Sequence, residues 1–247
     1  MGYPGNKQIE GVYHRIINEI PPHLKYVELF LGSGAIMRNK LPAQIGNWGV
    51  EIDDQTLKDE KWYQYAERHS RYFILKMSAI NFLREKILKL PASLQQEYFI
   101  YADPPYPISS RRSQENLYRC EMSDQEHVEF LKLAKKVNCS MAISTYGNPI
   151  YTKLLKGWRV IEYKVNTRRG IATELLYMNY APPKQLHDYR FLGKDFVERQ
   201  MIKRKISRHV ARLKNLPALE RAAIIREIFR ENPNPGSIPA QLLNVNF

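Results

Sequence analysis

The chain has 247 residues, 44% of them hydrophobic, and carries a formal net charge of +13. That length predicts one domain with an extension, or two small domains, with enough apolar residues for a core. Mean hydropathy is −0.49 and no run of about 18 apolar residues occurs, which excludes a transmembrane helix. The positive excess predicts a polyanionic partner, with a solvated basic surface as the alternative.

Two further features bear on the compartment. The first eleven residues contain no apolar segment, so we expect no secretory signal. The only cysteines, Cys120 and Cys139, are not spaced as metal ligands or as a redox pair. This pattern predicts a cytoplasmic protein with neither a disulfide framework nor a metal site.

Strand-like and helix-like segments alternate through the first three quarters of the chain, which predicts an α/β fold with a mostly parallel sheet. A capping box at Ser123–Glu126 predicts a helix through about Val137. We expect His127 and His209 on helix surfaces rather than as ligands. The predicted strands are 26–31, 48–52, 98–102, 140–144, 159–165 and 175–180.

The last quarter of the chain is different in composition. Residues 184–247 hold 13 basic and 6 acidic residues, about half of the whole positive excess. Pro182 and Pro183 stand at the change, so we predict one domain over 1–183 and a basic helical extension and tail over 184–247. Within the extension, residues 184–231 are predicted helical, with a break at Pro217.

Two ligand-type turns follow the first two predicted strands. Gly32-Ser33-Gly34 forms a glycine-rich turn that lets a ligand approach the backbone, although a tight turn without a ligand fits the same residues. About twenty residues later, Glu51-Ile52-Asp53 places carboxylates where ribose hydroxyls can donate to them. A solvated acidic turn is the alternative for this second motif.

A third motif, Asp103-Pro104-Pro105-Tyr106, follows the apolar strand 98–102. Two prolines stiffen the turn and remove two N–H donors, leaving a carboxylate, carbonyl oxygens and an aromatic ring at the strand end. Such a surface suits a flat group that bears an NH₂. The alternative, a purely structural proline turn, does not explain why the motif follows two other ligand-type turns in order.

Together these segments resemble the Dam-type DNA adenine methyltransferases, whose glycine turn precedes a DPPY motif. The resemblance covers about residues 2–181 and includes the closing strands at 142–148 and 174–180. The basic C-terminal part resembles an extension of phage-type relatives. The resemblance implies a Rossmann-like, S-adenosylmethionine-dependent methyltransferase sheet with a basic helical C-terminal extension.

The resemblance also implies the site residues. Ser78 stands where the family has an acidic residue beside the cofactor adenine, so that contact falls to Ser78 or Asn81. Only 48 residues separate Asp54 from Asp103, which predicts a very short target-recognition insert at about 55–97. The implied cofactor-binding residues are Tyr3, Lys7, Glu28, Phe30, Gly32, Ser33, Gly34, Glu51, Asp53 and Ser78.

The implied reaction moves a methyl group to the exocyclic amine of an adenine flipped out of DNA. Asp103 and the Pro104 carbonyl would accept the amine hydrogens, Pro105 would stiffen the turn, and Tyr106 would stack on the base. The same acceptors suit the cytosine amine or an RNA adenine, and a non-catalytic DNA-binding protein with this fold is a further alternative.

DNA is the expected partner, and the oligomeric state stays open. Two loops after the catalytic turn and one basic helical stripe are candidates for phosphate contact, against solvated surface as the alternative. Their residues are Arg111, Arg112, Arg168, Arg169, Lys203, Arg204, Lys205, Arg208 and Arg212.

Overall fold

A computed structural model describes residue 7 and residues 11–107, 109, 119–167 and 170–231. Seven strands form one sheet in the order β3-β2-β1-β4-β5-β7-β6. Strand β7 pairs antiparallel with both of its neighbours, and the other pairings are parallel. The strands are β1 Lys25–Leu29, β2 Gly46–Glu51, β3 Tyr72–Lys76, β4 Tyr98–Ala102, β5 Ser140–Tyr146, β6 Arg159–Thr167 and β7 Gly170–Met178.

Helices cover both faces of this sheet. A π-helical turn at Leu83–Ile87 follows α5. The described helices are α1 Val12–Ile17, α2 Ala35–Asn39, α3 Asp54–Asp59, α4 Trp62–Arg68, α5 Ala79–Phe82, α6 Ala92–Gln95, α7 Asp124–Ala134, α8 Pro149–Leu154, α9 Phe196–Lys214 and α10 Ala218–Glu231. None of them is both long and apolar enough to cross a membrane.

Alternation along the strands divides the buried residues into two cores. In β4, Ile100 packs with α5, α7 and α8 on one face. Phe99 and Tyr101 point the other way, toward α1, α2 and Trp62. Both faces of the central strands are buried, which accounts for the high share of apolar residues in β4 and in the middle of β1 and β5.

The predicted α/β fold with a Rossmann-like methyltransferase sheet is confirmed by this strand order. Strand 98–102 was predicted with its observed bounds, and the capping box at Ser123 and Glu126 begins α7 as expected. The prediction for His127 is wrong: the ring is fully buried, and its Nδ1 lies 2.9 Å from the Tyr151 hydroxyl. The periodicity of α7 does not reveal that the His127 ring has a buried hydrogen-bond partner on α8.

Residues 55–97 consist of helices α3 to α6 and strand β3. Strand β3 pairs with β2, so this stretch, predicted to contain the target-recognition insert, builds the sheet edge and its crossovers. All of its residues are described, and a short target-recognition insert among them remains a prediction.

The extension begins with a docked segment rather than a helix. The His187 N–H donates to the Ile20 carbonyl at 2.9 Å, and the Asp188 carboxylate accepts from the Leu41 N–H at 2.9 Å. Residues 184–195 are therefore not helical, because their polar groups bind the first part of the chain. The predicted helices beyond them are present as α9 and α10. Residues 232–247, predicted as a tail, lie outside the described residues, and the domain division remains a prediction.

Candidate active site

A cleft of about 1040 Å³, counted to its open mouth, lies at the carboxyl ends of the central strands. Strand order reverses between β1 and β4, since β1 leads outward to β2 and β4 leads outward to β5. Open α/β sheets bind ligands at such a reversal because the loops on either side diverge. The cleft is lined by the glycine turn, the end of β2, residues 77–80, the end of β4 and residues 119–122.

The glycine turn after β1 has a strongly constrained backbone. Gly32 and Gly34 have φ angles of +48° and +62°, and Phe30 also has a positive φ of +57°. A Cβ atom on Gly34 would lie 2.1 Å from Cζ2 of Trp62. The Trp62 indole N–H in turn donates to the Gly32 carbonyl at 2.8 Å. Gly34 is therefore required both by its backbone angle and by the ring behind it.

Glu28 closes the inner end of the cleft. One oxygen of its buried carboxylate accepts from the Met37 N–H at 2.6 Å and from the Tyr26 hydroxyl at 2.8 Å. Burial raises the pKa of Glu28 to about 7, although both hydrogen bonds oppose that shift. Glu28 thus supports helix α2 as well as lining the cleft, and Ser33 lines the same wall.

Glu51 ties the glycine turn to the end of β2. Its two oxygens accept from the Gly32 N–H at 3.0 Å and from the N–H groups of Ile52 and Asp53 at 2.9 and 3.0 Å. Burial raises its pKa in spite of these bonds. Asp53 caps α3 by accepting from the Gln55 and Thr56 N–H groups. Both carboxylates line the cleft, and each also stabilises a turn. Their binding of the cofactor ribose remains a prediction.

Ser78 lines the cleft and caps α5, where its hydroxyl accepts from the Asn81 N–H at 3.1 Å. Asn81 is exposed, and its side-chain oxygen accepts from Arg84 at 3.1 Å. Of the two predicted substitutes for the missing acid, only Ser78 lies on the cleft wall.

Arg119 borders the cleft on the side opposite the glycine turn, a position that no sequence motif indicates. Its guanidinium lies 3.4 Å from the Asp53 carboxylate and 3.0 Å from Asp59. The Arg119 side chain is 57% exposed, so both ion pairs lie at the protein surface. Surface pairs of this kind contribute little stability.

The proline turn after β4 brings Asp103 to the cleft beside the end of β1. The Asp103 N–H donates to the Leu29 carbonyl at 3.4 Å, which continues the β1–β4 pairing by one residue. Pro105 lines the cleft, and Pro104 is buried beneath it. The turn therefore places one carboxylate at the junction of the two strands that define the cleft.

Lys7 lies against that carboxylate. Its Nζ is 3.0 Å from Oδ1 and 2.9 Å from Oδ2 of Asp103, and 2.5 Å from the Tyr106 hydroxyl. The same Nζ lies 3.2 Å from Glu174 on β7. Lys7 was predicted beside the cofactor on resemblance, and it lines the cleft, but its closest contacts belong to the proline turn at residues 103–106.

Burial raises the pKa of Asp103 to about 6. The Lys7 ammonium opposes this rise, and the nearby Glu174 carboxylate adds to it. Asp103 is thus ionised at neutral pH and remains a hydrogen-bond acceptor there.

Tyr106 is 4% exposed and turned toward the protein interior. Its hydroxyl donates to Glu174 at 2.8 Å, and its ring lies 4.2 Å from the Tyr146 ring at an interplanar angle of 49°. Stacking of Tyr106 on a base therefore stays a prediction. Glu174 is a second residue that motif analysis missed, and its signal in the sequence is an acidic side chain within a mostly apolar strand.

The predicted DNA-contacting residues fall into two groups. The four loop arginines, Arg111, Arg112, Arg168 and Arg169, lie outside the described residues, as does Tyr3, which was predicted to bind the cofactor. The others, Lys203, Arg204, Lys205, Arg208 and Arg212, are exposed on α9, which buries none of its residues. They do not meet the cleft residues in any contact that the described part of the chain makes.

No family model matches the chain, and no curated protein matches it significantly. Solved structures similar to it include a conserved hypothetical protein from Streptococcus pyogenes, at 16% identity and a TM-score of 0.46, covering 70% of this chain and 97% of that chain. A SAM-dependent methyltransferase from Agrobacterium tumefaciens shows 11% identity and a TM-score of 0.41, covering 67% and 58%. An rRNA methylase from Streptococcus thermophilus shows 10% identity and a TM-score of 0.43, covering 67% and 93%.

Likenesses this distant do not bear on activity. The assignment of a Rossmann-like methyltransferase fold rests on this chain's own strand order and on the single reversed strand, β7.

Proposed function

We propose that this protein is an S-adenosylmethionine-dependent methyltransferase that acts on the exocyclic N6 amine of adenine in DNA. The observation that carries the proposal is the position of Asp103. It is a partly buried carboxylate on a proline turn, at the edge of a cleft that the glycine turn and Glu51 also line.

The cleft residues suit S-adenosylmethionine. Glu51 and Asp53 present carboxylate oxygens at the end of β2, where ribose hydroxyls would donate to them. Glu28 offers a carboxylate at the other end for the methionine ammonium group. The glycine turn allows the cofactor to lie close to the backbone, and the bound cofactor supplies an electrophilic methyl group on sulfur.

Asp103 supplies the acceptor for the attacking amine. The lone pair of an adenine amine is delocalised into the ring, so the amine is a poor nucleophile. Hydrogen bonds from its N–H groups to the Asp103 carboxylate and the Pro104 carbonyl would favour a pyramidal nitrogen. Positive charge develops on that nitrogen as it attacks, and fixed acceptors stabilise the charge without reorganising. The rigid turn also holds the amine in line with the methyl group.

Lys7 must share Asp103 with the substrate. Its Nζ lies within 3.0 Å of both carboxylate oxygens, so an incoming amine takes lone pairs that Lys7 now uses. Because Lys7 also contacts Tyr106 and Glu174, it keeps partners when that happens. A substrate amine can therefore enter without leaving a buried ammonium group unpaired.

DNA as partner rests on charge. The net charge is +13, and α9 presents Arg204, Arg208 and Arg212 at intervals of four residues on one exposed face. Phosphates along a duplex would release counterions on binding such a face.

Methyl transfer from labelled S-adenosylmethionine to defined nucleic acids tests the proposal. Equal amounts of DNA duplexes with adenine or cytosine as the only methylatable base, and an RNA of the same sequence, would be digested and analysed by mass spectrometry. We expect N6-methyladenine from DNA alone. Label in cytosine or only in RNA would contradict the substrate, and absence of cofactor binding by calorimetry would contradict the enzyme class and leave a non-catalytic DNA-binding protein.

A further inference from the structure

Glu174 is a buried carboxylate in a strand that is otherwise mostly apolar. It lies in β7, is 2% exposed, and stands opposite Tyr146 of β5 and Tyr163 of β6 in the sheet register. Burying an ionised carboxylate is costly unless several donors satisfy it. Its partners therefore indicate why the strand tolerates it.

Those partners belong to the catalytic turn on one side and to the sheet on the other. Glu174 Oε1 accepts from the Tyr106 hydroxyl at 2.8 Å. Glu174 Oε2 accepts from the Tyr163 hydroxyl at 2.7 Å and lies 3.2 Å from Lys7 Nζ. Ser144 lies at the longer distance of 3.4 Å from the same oxygen.

Glu174 thus joins three strands to a turn that comes from a fourth. Neighbouring strands β5, β7 and β6 hold its own position, and its carboxylate holds both the Tyr106 hydroxyl and Lys7. Tyr106 and Lys7 both contact the Asp103 carboxylate, with the Tyr106 hydroxyl 3.4 Å and Lys7 Nζ about 3 Å away. A shift of Glu174 would therefore reach Asp103 through two separate contacts.

We infer that Glu174 is a positioning residue for methyl transfer, holding Tyr106 and Lys7 so that Asp103 keeps its place at the cleft. This inference rests on the proposed function for its kinetic consequence. Glu174 itself does not line the cleft, so it acts through its neighbours and not on the substrate.

The charge of Glu174 gives this role a distinctive signature. Lys7 contacts the carboxylates of both Asp103 and Glu174, and the nearby Glu28 of β1, which interacts electrostatically with Asp103, also faces the Lys40 ammonium group. The Glu174 charge raises the pKa of Asp103, so a neutral residue there should lower it. The other groups facing the cluster are Tyr101 on β4, Tyr106 on the turn, Ser144 and Tyr146 on β5, and Tyr163 on β6.

The phenolic groups do not obscure that signature. Burial raises the pKa values of Tyr101, Tyr146 and Tyr163, so these hydroxyls stay neutral through the acid range. The nearby Glu28 carboxyl also has a raised pKa, so a residue-resolved measurement of Asp103 is necessary.

The test uses three variants of the full chain. Glu174→Gln removes the charge while keeping nearly the same shape. Glu174→Asp keeps the charge but shortens the side chain by one methylene, which moves the carboxylate away from Tyr106 and Lys7. Glu162→Gln is the matched control, because Glu162 lies on adjacent β6, is exposed, and carries the same charge. For each, we would measure kcat and KM against pH, cofactor Kd by calorimetry, the free energy of unfolding, and the Asp103 carboxyl titration by carbon NMR.

For Glu174→Gln we expect kcat to fall about 10- to 100-fold because Asp103 is misplaced. The pKa of Asp103 should fall below the wild-type value, and the acid limb of the kcat–pH profile should move to lower pH by the same amount. Cofactor Kd should stay within about twofold. Glu174→Asp should lower kcat while leaving the Asp103 pKa near wild type, and Glu162→Gln should change neither. If Glu174→Gln does not fold, the Glu174→Asp kinetics decide alone.

An unchanged Asp103 pKa or an unchanged kcat in Glu174→Gln overturns the inference. So does a fall in kcat that is matched by a fall in cofactor affinity and in unfolding free energy, since that pattern is a general structural loss. The NMR titration is independent of turnover. If wild-type protein transfers no methyl group to DNA, the proposed function fails while the link between Glu174 and Asp103 is still tested.

Discussion

The cleft and the C-terminal helices use charge in opposite ways. Near the cleft, Lys7 and Glu174 are buried and Asp103 is partly buried. Lys7 Nζ lies within 3.2 Å of both carboxylates. In α9 and α10, by contrast, the charged residues face solvent, and α9 buries no residue. A buried charge depends on a few specific partners, whereas exposed charges act as a screened sum. Single substitutions should therefore have large effects in the cleft and small ones on the helices.

The largest effect is expected from Asp103→Ala. Removing the carboxylate takes away the anionic acceptor for the amine, so methyl transfer should fall at least about 100-fold. Cofactor affinity should stay within a few-fold, because the glycine turn, Glu28 and Glu51 are untouched. Turnover is measured with labelled cofactor and affinity by calorimetry. Turnover near wild type would remove Asp103 from its proposed role.

Gly34→Ala should break the cleft by sterics rather than by chemistry. The added Cβ would meet Trp62 at 2.1 Å, and the φ of +62° disfavours a side chain. We expect the free energy of unfolding to fall by about 2–4 kcal/mol, from overpacking and left-handed strain together. Urea denaturation measures this loss.

Gly157→Ala is the matched control for that substitution. Gly157 has a φ of +92° but no atom within 4 Å of the added Cβ, so only backbone strain destabilises this variant. A loss of about 1–2 kcal/mol is expected. Equal losses at the two positions would mean that Trp62 does not constrain the turn.

The pH profile of methyl transfer tests the charge of a single cleft residue, Asp103. Asp103 must be ionised to accept from the amine, and burial raises its pKa from the usual 3.8 to about 6. Activity should accordingly be full above about pH 7 and fall roughly tenfold per unit below pH 6. The measurement is kcat/KM between pH 5 and 8. A profile that stays flat down to pH 5 would show that the Asp103 charge is not required.

The smallest effect per residue is expected on α9. Replacing Lys203, Arg204 and Lys205 by glutamine should weaken DNA binding and reduce the log–log salt slope by about 2 to 3, while unfolding free energy stays within about 0.5 kcal/mol. Fluorescence anisotropy at several salt concentrations measures the slope. The same replacement at Lys132, Lys135 and Lys136, exposed at the end of α7, removes equal charge elsewhere. Equal salt slopes for the two triple variants would show that the basic residues of α9 contribute only through net charge and not through specific phosphate contacts.

Local patterns account for much of the fold and for most of the cleft wall. Strand β4 ends with the apolar run 98–102 because two prolines follow soon after it. Helix α7 begins at the capping box of Ser123 and Glu126, which requires only two residues three positions apart. The turn after β1 and the acids after β2 were identified for the same reason. Each motif is short, so its geometry is decided within a few residues, and parallel pairing then brings the strand ends to one edge.

Contacts between distant residues required the folded chain. Lys7 and Glu174 meet only because β7 inserts between β5 and β6, and Trp62 lies behind Gly34 only because α4 returns to the sheet there. The docking of residues 186–191 and the burial of His127 are of the same kind. Hydropathy period and motif spacing describe neighbours along the chain. The pairing of buried polar groups depends on strand order and register, which are settled by packing the whole domain.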